Sequence, residues 1–153
     1  MTAQRVEDRP VTLLSIWVPG LPQPQGSSRA FVNRHTGRVI VTSANAKLKP
    51  WRQAVTDAAS EEMGEREAYR EPINVTLVFQ MPRPAGHFGK KGLLPSAPSH
   101  PAVRPDLDKL TRAALDSLKA GGVYKDDGQV VSIAATKVYG ERPGAYLQIW
   151  SVA

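Results

Sequence analysis

The sequence contains no cysteine and only three histidines among its 153 residues. The lack of cysteine excludes disulfide bonds and, with so few histidines, argues against a structural zinc site. His35, His87 and His100 all fall in segments that we predict to be loops, and none has the spacing of a paired metal ligand. We therefore expect no metal role for the histidines. A chain without cysteine also fits a reducing compartment.

Long apolar runs are missing as well. No stretch approaches the roughly 18 consecutive apolar residues that a membrane-spanning helix needs. The opening MTAQRVEDRP is polar and mixed in charge, unlike a secretory signal. We therefore expect a cytoplasmic protein without membrane association, in which residues 1–10 are flexible.

The charge is unbalanced. Twenty basic residues outweigh 14 acidic ones, which gives a net charge of +6 and a pI of about 9.8. Such an excess favours a polyanionic partner, nucleic acid above all, although a basic protein without such a partner has equal weight on charge alone. The length and the 41% hydrophobic content indicate one globular domain spanning 1–153.

Periodicity and turn residues predict the elements of this domain. We expect strands at 11–18, 73–81, 129–138 and 144–151, the last two paired across the turn YGERPG. A hairpin over 30–41 should turn at Thr36-Gly37. Helices are expected at 50–63, with Pro50 as the first helical residue, and at 106–119. The first of these helices has an alternative start at residue 44, which would place a bend at Pro50. The order predicts an α+β (mixed α/β) domain, with a small mixed sheet and two main helices.

A long segment, residues 82–105, is predicted to be an irregular loop because it holds six prolines and three glycines. Loops of this length in a compact domain are usually functional or disordered. It has four cations and no acidic residue: Arg83, Lys90, Lys91 and Arg104. We interpret it as an arm that holds phosphate groups, with a solvated linker as the alternative.

Carboxylates gather directly after this cationic loop, in RPDLDKLTRAALDSL. On a helical wheel Leu107, Leu110, Ala114 and Leu118 form the face toward the core, and Asp108 and Arg112 are neighbours on another face. Asp106 lies at the start of the helix, where it can converge with Asp108. A third carboxylate is available from Asp126 or Asp127.

Three such acids are the ligands that Mg²⁺ prefers, and the metal can activate water and stabilise charge on a phosphodiester. The residues alone therefore indicate a Mg²⁺-dependent phosphodiesterase acting on nucleic acid. Taken separately, each motif has a structural alternative: aspartates cap helices, and Asp-Asp-Gly is a common turn.

The combination of RPDLDKLTRAALDSL with YKDDGQVV resembles the RusA family of Holliday junction resolvases, small nucleases common in phages and prophages that act in DNA recombination and repair. SIWVPGLPQPQG and INVTLVFQMPRP stand where that family has its first strand, its proline-rich turn and its second long strand. The resemblance implies a homodimeric, Mg²⁺-dependent endodeoxyribonuclease, with Mn²⁺ as a substitute, that resolves four-way junction DNA by paired symmetric nicks.

Site residues follow from the same resemblance. It implies that Asp106, Asp108 and Asp127 are the metal-binding catalytic acids, and Asp116 matches a recurrent helix aspartate. Arg112 stands where the family has a catalytic lysine. The expected DNA-binding cations are Arg29, Arg83, Lys90, Lys91, Arg104, Lys109 and Lys125.

Two departures from the family and two rival functions accompany this interpretation. Arg112 keeps the charge of the family lysine but changes its shape. The proline-rich turn, rich in cations in relatives, here reads PQPQGSSR with Arg29 as its one cation. The rivals are a nuclease selective for forks, flaps or RNA, and a non-catalytic DNA-binding protein whose acids only cap a helix.

Overall fold

A four-stranded sheet with both long helices on one face forms the body of the protein. The computed structural model describes residues 9–26, 28–43 and 45–153, without the side chains of 28–31 and 41–43. Residues 1–8, which belong to the segment predicted to be flexible, lie outside the described residues. The body strands are β1 (Thr12–Pro19), β4 (Ile73–Met81), β7 (Val130–Tyr139) and β8 (Gly144–Ser151). The helices are α1 (Leu48–Met63) and α2 (Leu107–Ala120).

The predicted antiparallel pairing of the last two strands is wrong. The sheet order is β1-β8-β4-β7, so β4 lies between β7 and β8. β7 runs parallel to β4, and β8 runs antiparallel to both β4 and β1. β4 lies in the interior of the sheet, and every second residue from Ile73 to Met81 is buried. In this interior position β4 has a neighbouring strand on each side. The burial gained in this way outweighs the preference of the short turn after β7 for a β7–β8 hairpin.

The core lies between this sheet and the two helices, which confirms the predicted α+β class. The core side of α2 carries the fully buried Leu110, Ala114 and Leu118, while Leu107 is half-buried beside them. This is the face that the helical wheel predicts. α1 buries Trp51, Val55, Ala59 and Met63 against the same core.

Pro50 occupies the third position of α1, not the first as predicted, because the helix begins at Leu48. Proline is tolerated there because the first four amides of a helix have no partner within it. Ala44, the earliest start considered, lies outside the described residues.

The predicted hairpin is confirmed as β2 (Ser28–Val32) and β3 (Val39–Ser43), which form a separate two-stranded sheet. Gly37 adopts φ +67° at the turn, a left-handed conformation that glycine enters without steric cost.

The loop over 82–105 is more ordered than the sequence suggested. It contains a single 3₁₀ turn at 85–87 and a minimal hairpin of β5 (Phe88–Gly89) and β6 (Gly92–Leu93). The His87 carbonyl accepts a hydrogen bond from Leu94 N at 2.9 Å, which closes the hairpin. Within the described ranges, no helix has the length and apolar character required to span a bilayer.

Close packing of α1 against the end of α2 generates a stability prediction. A β-carbon added to Gly121 would lie 2.8 Å from Ala59 Cβ and 2.8 Å from the Thr56 carbonyl oxygen. We expect Gly121→Ala to lower the free energy of unfolding by about 1–3 kcal/mol, through overpacking. Urea denaturation followed by circular dichroism measures the change.

Gly86→Ala is the matched control, because no atom lies within 4 Å of the added carbon. Equal free energies of unfolding for the two variants would show that the α1–α2 contact accommodates the added carbon without loss of stability.

Candidate active site

A groove of about 300 Å³ runs between α2 and the edge strand β7. The lining comes from one face of α2, the turn after it and the first half of β7: Asp108, Thr111, Arg112, Leu115, Asp116, Tyr124, Asp127, Val130 and Ile133. The helical positions recur every three or four residues, so burial of the opposite face against the sheet points this face into the groove.

Three carboxylates share the groove, each in a different setting. Asp108 is exposed, and no hydrogen bond or ion pair engages its carboxylate within the described part of the chain. Asp116 accepts a hydrogen bond from Gln25 Nε2 at 2.5 Å. Asp127 Oδ1 lies 3.5 Å from Lys119 Nζ. Asp108 therefore has the least compensated charge of the three.

These acids are spread along the groove and do not form one cluster. Asp108 and Asp116 are eight residues apart, which is about 12 Å along a helix axis, and Asp127 lies at the Lys119 end. Across residues 9–26, 28–43 and 45–153, no three His, Cys, Asp or Glu side chains are close enough to hold a metal ion between them.

Asp106 lies outside the groove lining, as the N-cap residue of α2. Its carboxylate makes no capping hydrogen bond, and its nearest cation is Lys109 Nζ at 3.9 Å. Asp106 therefore does not line the groove that Asp108 lines, and the convergence of the two carboxylates stays a prediction. The lack of a capping hydrogen bond shows that the Asp106 side chain does not cap α2.

The adjacent Asp126 and Asp127 have different environments. Asp126 is the N-cap of the 3₁₀ turn at 127–129 and forms a reciprocal capping box with Gln129. The Gln129 amide also donates to the carbonyls of Tyr69 and Glu71, at 2.8 and 3.0 Å. Asp126 thus holds the turn in place, and Asp127 is the one that faces the groove.

Tyr124 forms the apolar floor of the groove and keeps its proton. Its hydroxyl donates to the Leu115 carbonyl at 2.8 Å. Burial, and then the negative charges of Asp127 and Asp116, raise the pKa of this phenol well above its ordinary value. Tyr124 therefore stays neutral at physiological pH and cannot accept a proton from water.

Arg112 projects into the groove between Asp108 and Asp116. Its guanidinium is exposed and forms no ion pair with either aspartate. The surface ion pair that would give Arg112 a purely structural role is therefore absent among the described residues. Its donors remain available to an anion in the groove.

The proline-rich turn before β2 contacts α2 through Gln25 and Gly26. Gln25 N donates to the Lys109 carbonyl at 3.0 Å, and its side chain holds Asp116. Gly26 adopts φ +139°, and a β-carbon there would lie 3.8 Å from Arg112 Nη1. Sequence reasoning missed Gln25 because it searched this turn for cations, whereas the contact is made by an amide.

The expected DNA-binding cations have unequal surroundings. Arg83 stacks over Tyr139 at 4.4 Å and donates to the Pro98 carbonyl at 2.7 Å, so it braces the base of the loop. Lys90, Lys91, Arg104 and Lys125 are exposed, and Lys109 is half-buried. The Arg29 side chain lies outside the described residues. The roles of these cations in binding DNA stay predictions.

Lys137, on β7, fixes the entry to α2. Its ammonium donates to the carbonyls of Val103 and Pro105, at 2.7 and 2.9 Å. Pro105 directly precedes Asp106, so this bond fixes the backbone from which the acidic pair projects. No sequence signal identified Lys137, because its partners are backbone carbonyls 32 and 34 residues away.

Comparison with known proteins agrees with the resemblance. The family model described as Endodeoxyribonuclease RusA matches residues 20–150. The chain is also 29% identical over 144 residues to "Uncharacterized protein YqaN" of Bacillus subtilis (strain 168), covering 89% of this chain and 94% of that protein. The matched range includes the groove, the proline-rich turn and the loop over 82–105.

The contact made by Lys137 generates a structural prediction. Lys137→Met keeps the side-chain stem but removes two hydrogen bonds from a charged donor, each worth about 1.5–3 kcal/mol. We expect amide hydrogen exchange in the first hydrogen-bonded turn of α2, which begins with the bond from Leu110 N to the Asp106 carbonyl, to accelerate by roughly tenfold or more, while the β4–β7 ladder stays protected. Exchange followed by mass spectrometry provides the measurement.

Lys49→Met is the control, since Lys49 is an exposed lysine of α1 with no partner among the described residues. Unchanged exchange in the first hydrogen-bonded turn of α2 in Lys137→Met would show that Lys137 does not hold the segment.

Proposed function

The chain belongs to the RusA endodeoxyribonuclease family, and we propose that it is a Mg²⁺-dependent endonuclease that resolves Holliday junctions by paired symmetric nicks. The observation that carries the proposal is the groove in which the unpaired Arg112 lies between acidic residues, in a chain of net charge +6. Carboxylates for a cation and an arginine for a phosphate are what phosphodiester hydrolysis requires.

The donors fit a hard divalent cation. The groove offers only oxygen ligands of the kind that Mg²⁺ takes, and Mn²⁺ accepts the same donors. Mg²⁺ is usually held by one or two carboxylates, with phosphate oxygens and water completing the shell. Acids spread along a groove are therefore compatible with a cation that binds together with DNA. We propose that DNA binding brings Asp108 and Asp127 to the cation, with Asp106 added on the family resemblance.

When bound, such a cation supplies Lewis acidity toward the phosphodiester and lowers the pKa of water. The chain's own residues do the positioning. Arg112 donates to the phosphate and offsets the charge that develops there. Gln25 holds Asp116, and Lys137 fixes the segment leading to Asp106. Tyr124 closes the floor against water and keeps its proton.

We further propose that the protein acts as a homodimer on four-way junction DNA. The family resemblance implies the homodimer and its junction substrate. Symmetry supports both, because two sites related by a two-fold axis match a junction whose arms have near two-fold symmetry. Lys90 and Lys91, exposed at the tip of the β5–β6 hairpin, are available to the phosphates of an arm.

A first set of substitutions tests the acids. We expect Asp106→Asn, Asp108→Asn and Asp127→Asn each to abolish nicking of a synthetic junction in Mg²⁺ while leaving binding intact or tighter. The acids serve the metal and the cations hold the DNA. Gel analysis of nicked products and binding in Ca²⁺ measure the two properties separately.

Asp126→Asn is the matched control for Asp127→Asn. Asparagine still accepts a capping bond, so this neighbour should keep near-normal nicking. Near-normal nicking by any of the three acid variants would remove that residue from the site. A panel of junction, fork, flap and duplex substrates separates the proposed specificity from its rivals, and cleavage that does not prefer the junction would contradict it.

A second substitution tests Arg112. Arg112→Ala should slow single-turnover nicking by about 100- to 1,000-fold, the usual effect of removing one donor to developing charge. Arg112→Lys should keep much of the rate because the charge remains. Junction binding should be nearly unchanged in both. Arg142→Ala, which removes an exposed arginine between β7 and β8, is the control. A near-wild-type rate for Arg112→Ala would exclude the assigned role.

A further inference from the structure

The β2–β3 hairpin, called the ribbon below, stands apart from the sheet. Its strands pair only with each other among the described residues, over five cross-strand pairs from Ser28↔Ser43 to Val32↔Val39. The last pair before the turn is exposed, with Val32 60% and Val39 66% accessible. Because a lone two-stranded hairpin is only marginally stable, a ribbon outside the core calls for a role beyond packing.

The tip of the ribbon is nevertheless ordered. Asn33 Oδ1 accepts hydrogen bonds from the amides of His35 and Thr36, at 2.9 and 3.4 Å. Asn33 N donates to the Arg38 carbonyl at 2.9 Å, and Gly37 N donates to the Asn33 carbonyl at 2.8 Å. These bonds hold the arginines that flank the turn at fixed positions.

The ribbon lies in a segment whose charge is entirely positive. No acidic residue occurs from Pro10 to Thr56, a segment with six cations. The other fourteen cations of the chain are matched by its fourteen acidic residues, so this segment accounts for the whole net charge of +6. Arg34 and Arg38, at the tip, are exposed and have no carboxylate partner in the part of the chain that the structure describes.

The ribbon is also close to the cleavage groove. Ser28, where β2 begins, is three residues beyond Gln25, whose side chain holds Asp116. Three residues of extended chain span no more than about 10 Å. DNA held along the ribbon would therefore pass near the groove.

We propose that the ribbon is a second DNA-binding element, which lies in a groove of a duplex arm with Arg34 and Arg38 directed to the phosphates. The proposal rests on the proposed function for its choice of DNA as the ligand. The major groove of B-DNA is about 12 Å wide and admits a two-stranded β-ribbon. Arginine binds phosphate oxygens through two parallel hydrogen bonds. The lack of acidic residues leaves nothing in the segment to repel the DNA.

The salt dependence of binding tests the two arginines. Each phosphate contact contributes about 0.9 to the slope of log affinity against log salt. The double variant Arg34→Gln/Arg38→Gln should therefore flatten the slope for a junction or a duplex by up to about 1.8. Arg9→Gln/Arg142→Gln, which removes the same charge from exposed positions elsewhere, is the control and should change it less. Equal slopes for the two double variants would overturn the proposal.

The absence of cysteine permits a direct second test. Thr36→Cys, coupled to an iron chelate that cleaves nearby DNA, should cut both strands within a few nucleotides across one groove of an arm. Glu61→Cys, on the exposed surface of α1, should give no such local pattern. If the Thr36→Cys protein binds DNA but does not cut it locally, the proposal is wrong. Loss of the dimer in the arginine variant would also overturn it, because the ribbon would then be a contact between subunits.

The failure of this proposal is separable from failure of the proposed function. If the protein nicks junctions but the ribbon variant has the same salt slope as the control variant, the proposed function stands and the ribbon proposal is wrong. A protein that binds DNA through the ribbon without nicking retains the ribbon proposal and loses the nuclease. A protein that neither binds nor nicks DNA loses both.

Discussion

Burial of one face of α2 against the sheet is the constraint on which the site depends. Leu110, Ala114 and Leu118 are fully buried, and this fixes the rotation of the helix about its axis. A rotation of one position, about 100°, would expose apolar surface worth several kcal/mol. With the helix so fixed, Asp108 and Arg112 must face the groove beside β7. The core therefore determines the orientation of the groove-facing side chains without touching them.

The supports of the groove come from segments that are distant in sequence. Gln25 reaches Asp116 from the proline-rich turn, and Lys137 reaches the carbonyl before Asp106 from β7. Asp126 and Gln129 hold the turn that presents Asp127. Gln25 and Lys137 each tie a loop to a regular element. A site on loops gains in this way some of the precision that strands and helices provide.

The distribution of charge separates binding from chemistry. Two segments hold cations without any acidic residue, one from Pro10 to Thr56 and the other in the loop over 82–105. The acids of the groove occupy α2 and the turn after it. A polyanion is attracted by the first set and is repelled by the second unless a cation intervenes. Under the proposed function, this arrangement would make productive contact between DNA and the acids depend on a divalent cation.

Hydrophobic period, turn residues and the acidic motifs are local signals, so they were sufficient to predict the main helices and strands, the core face of α2 and the family. The sequence also placed Asp108 beside Arg112, since helical spacing relates residues four apart. The position of β4 between β7 and β8 emerges on folding, because strand order depends on how the strands bury one another. The tertiary structure also set Asp106 outside the groove, gave Arg83 a bracing contact and brought Lys137 to the start of α2. These contacts join residues far apart in the chain, and no local pattern encodes a distance that only folding creates.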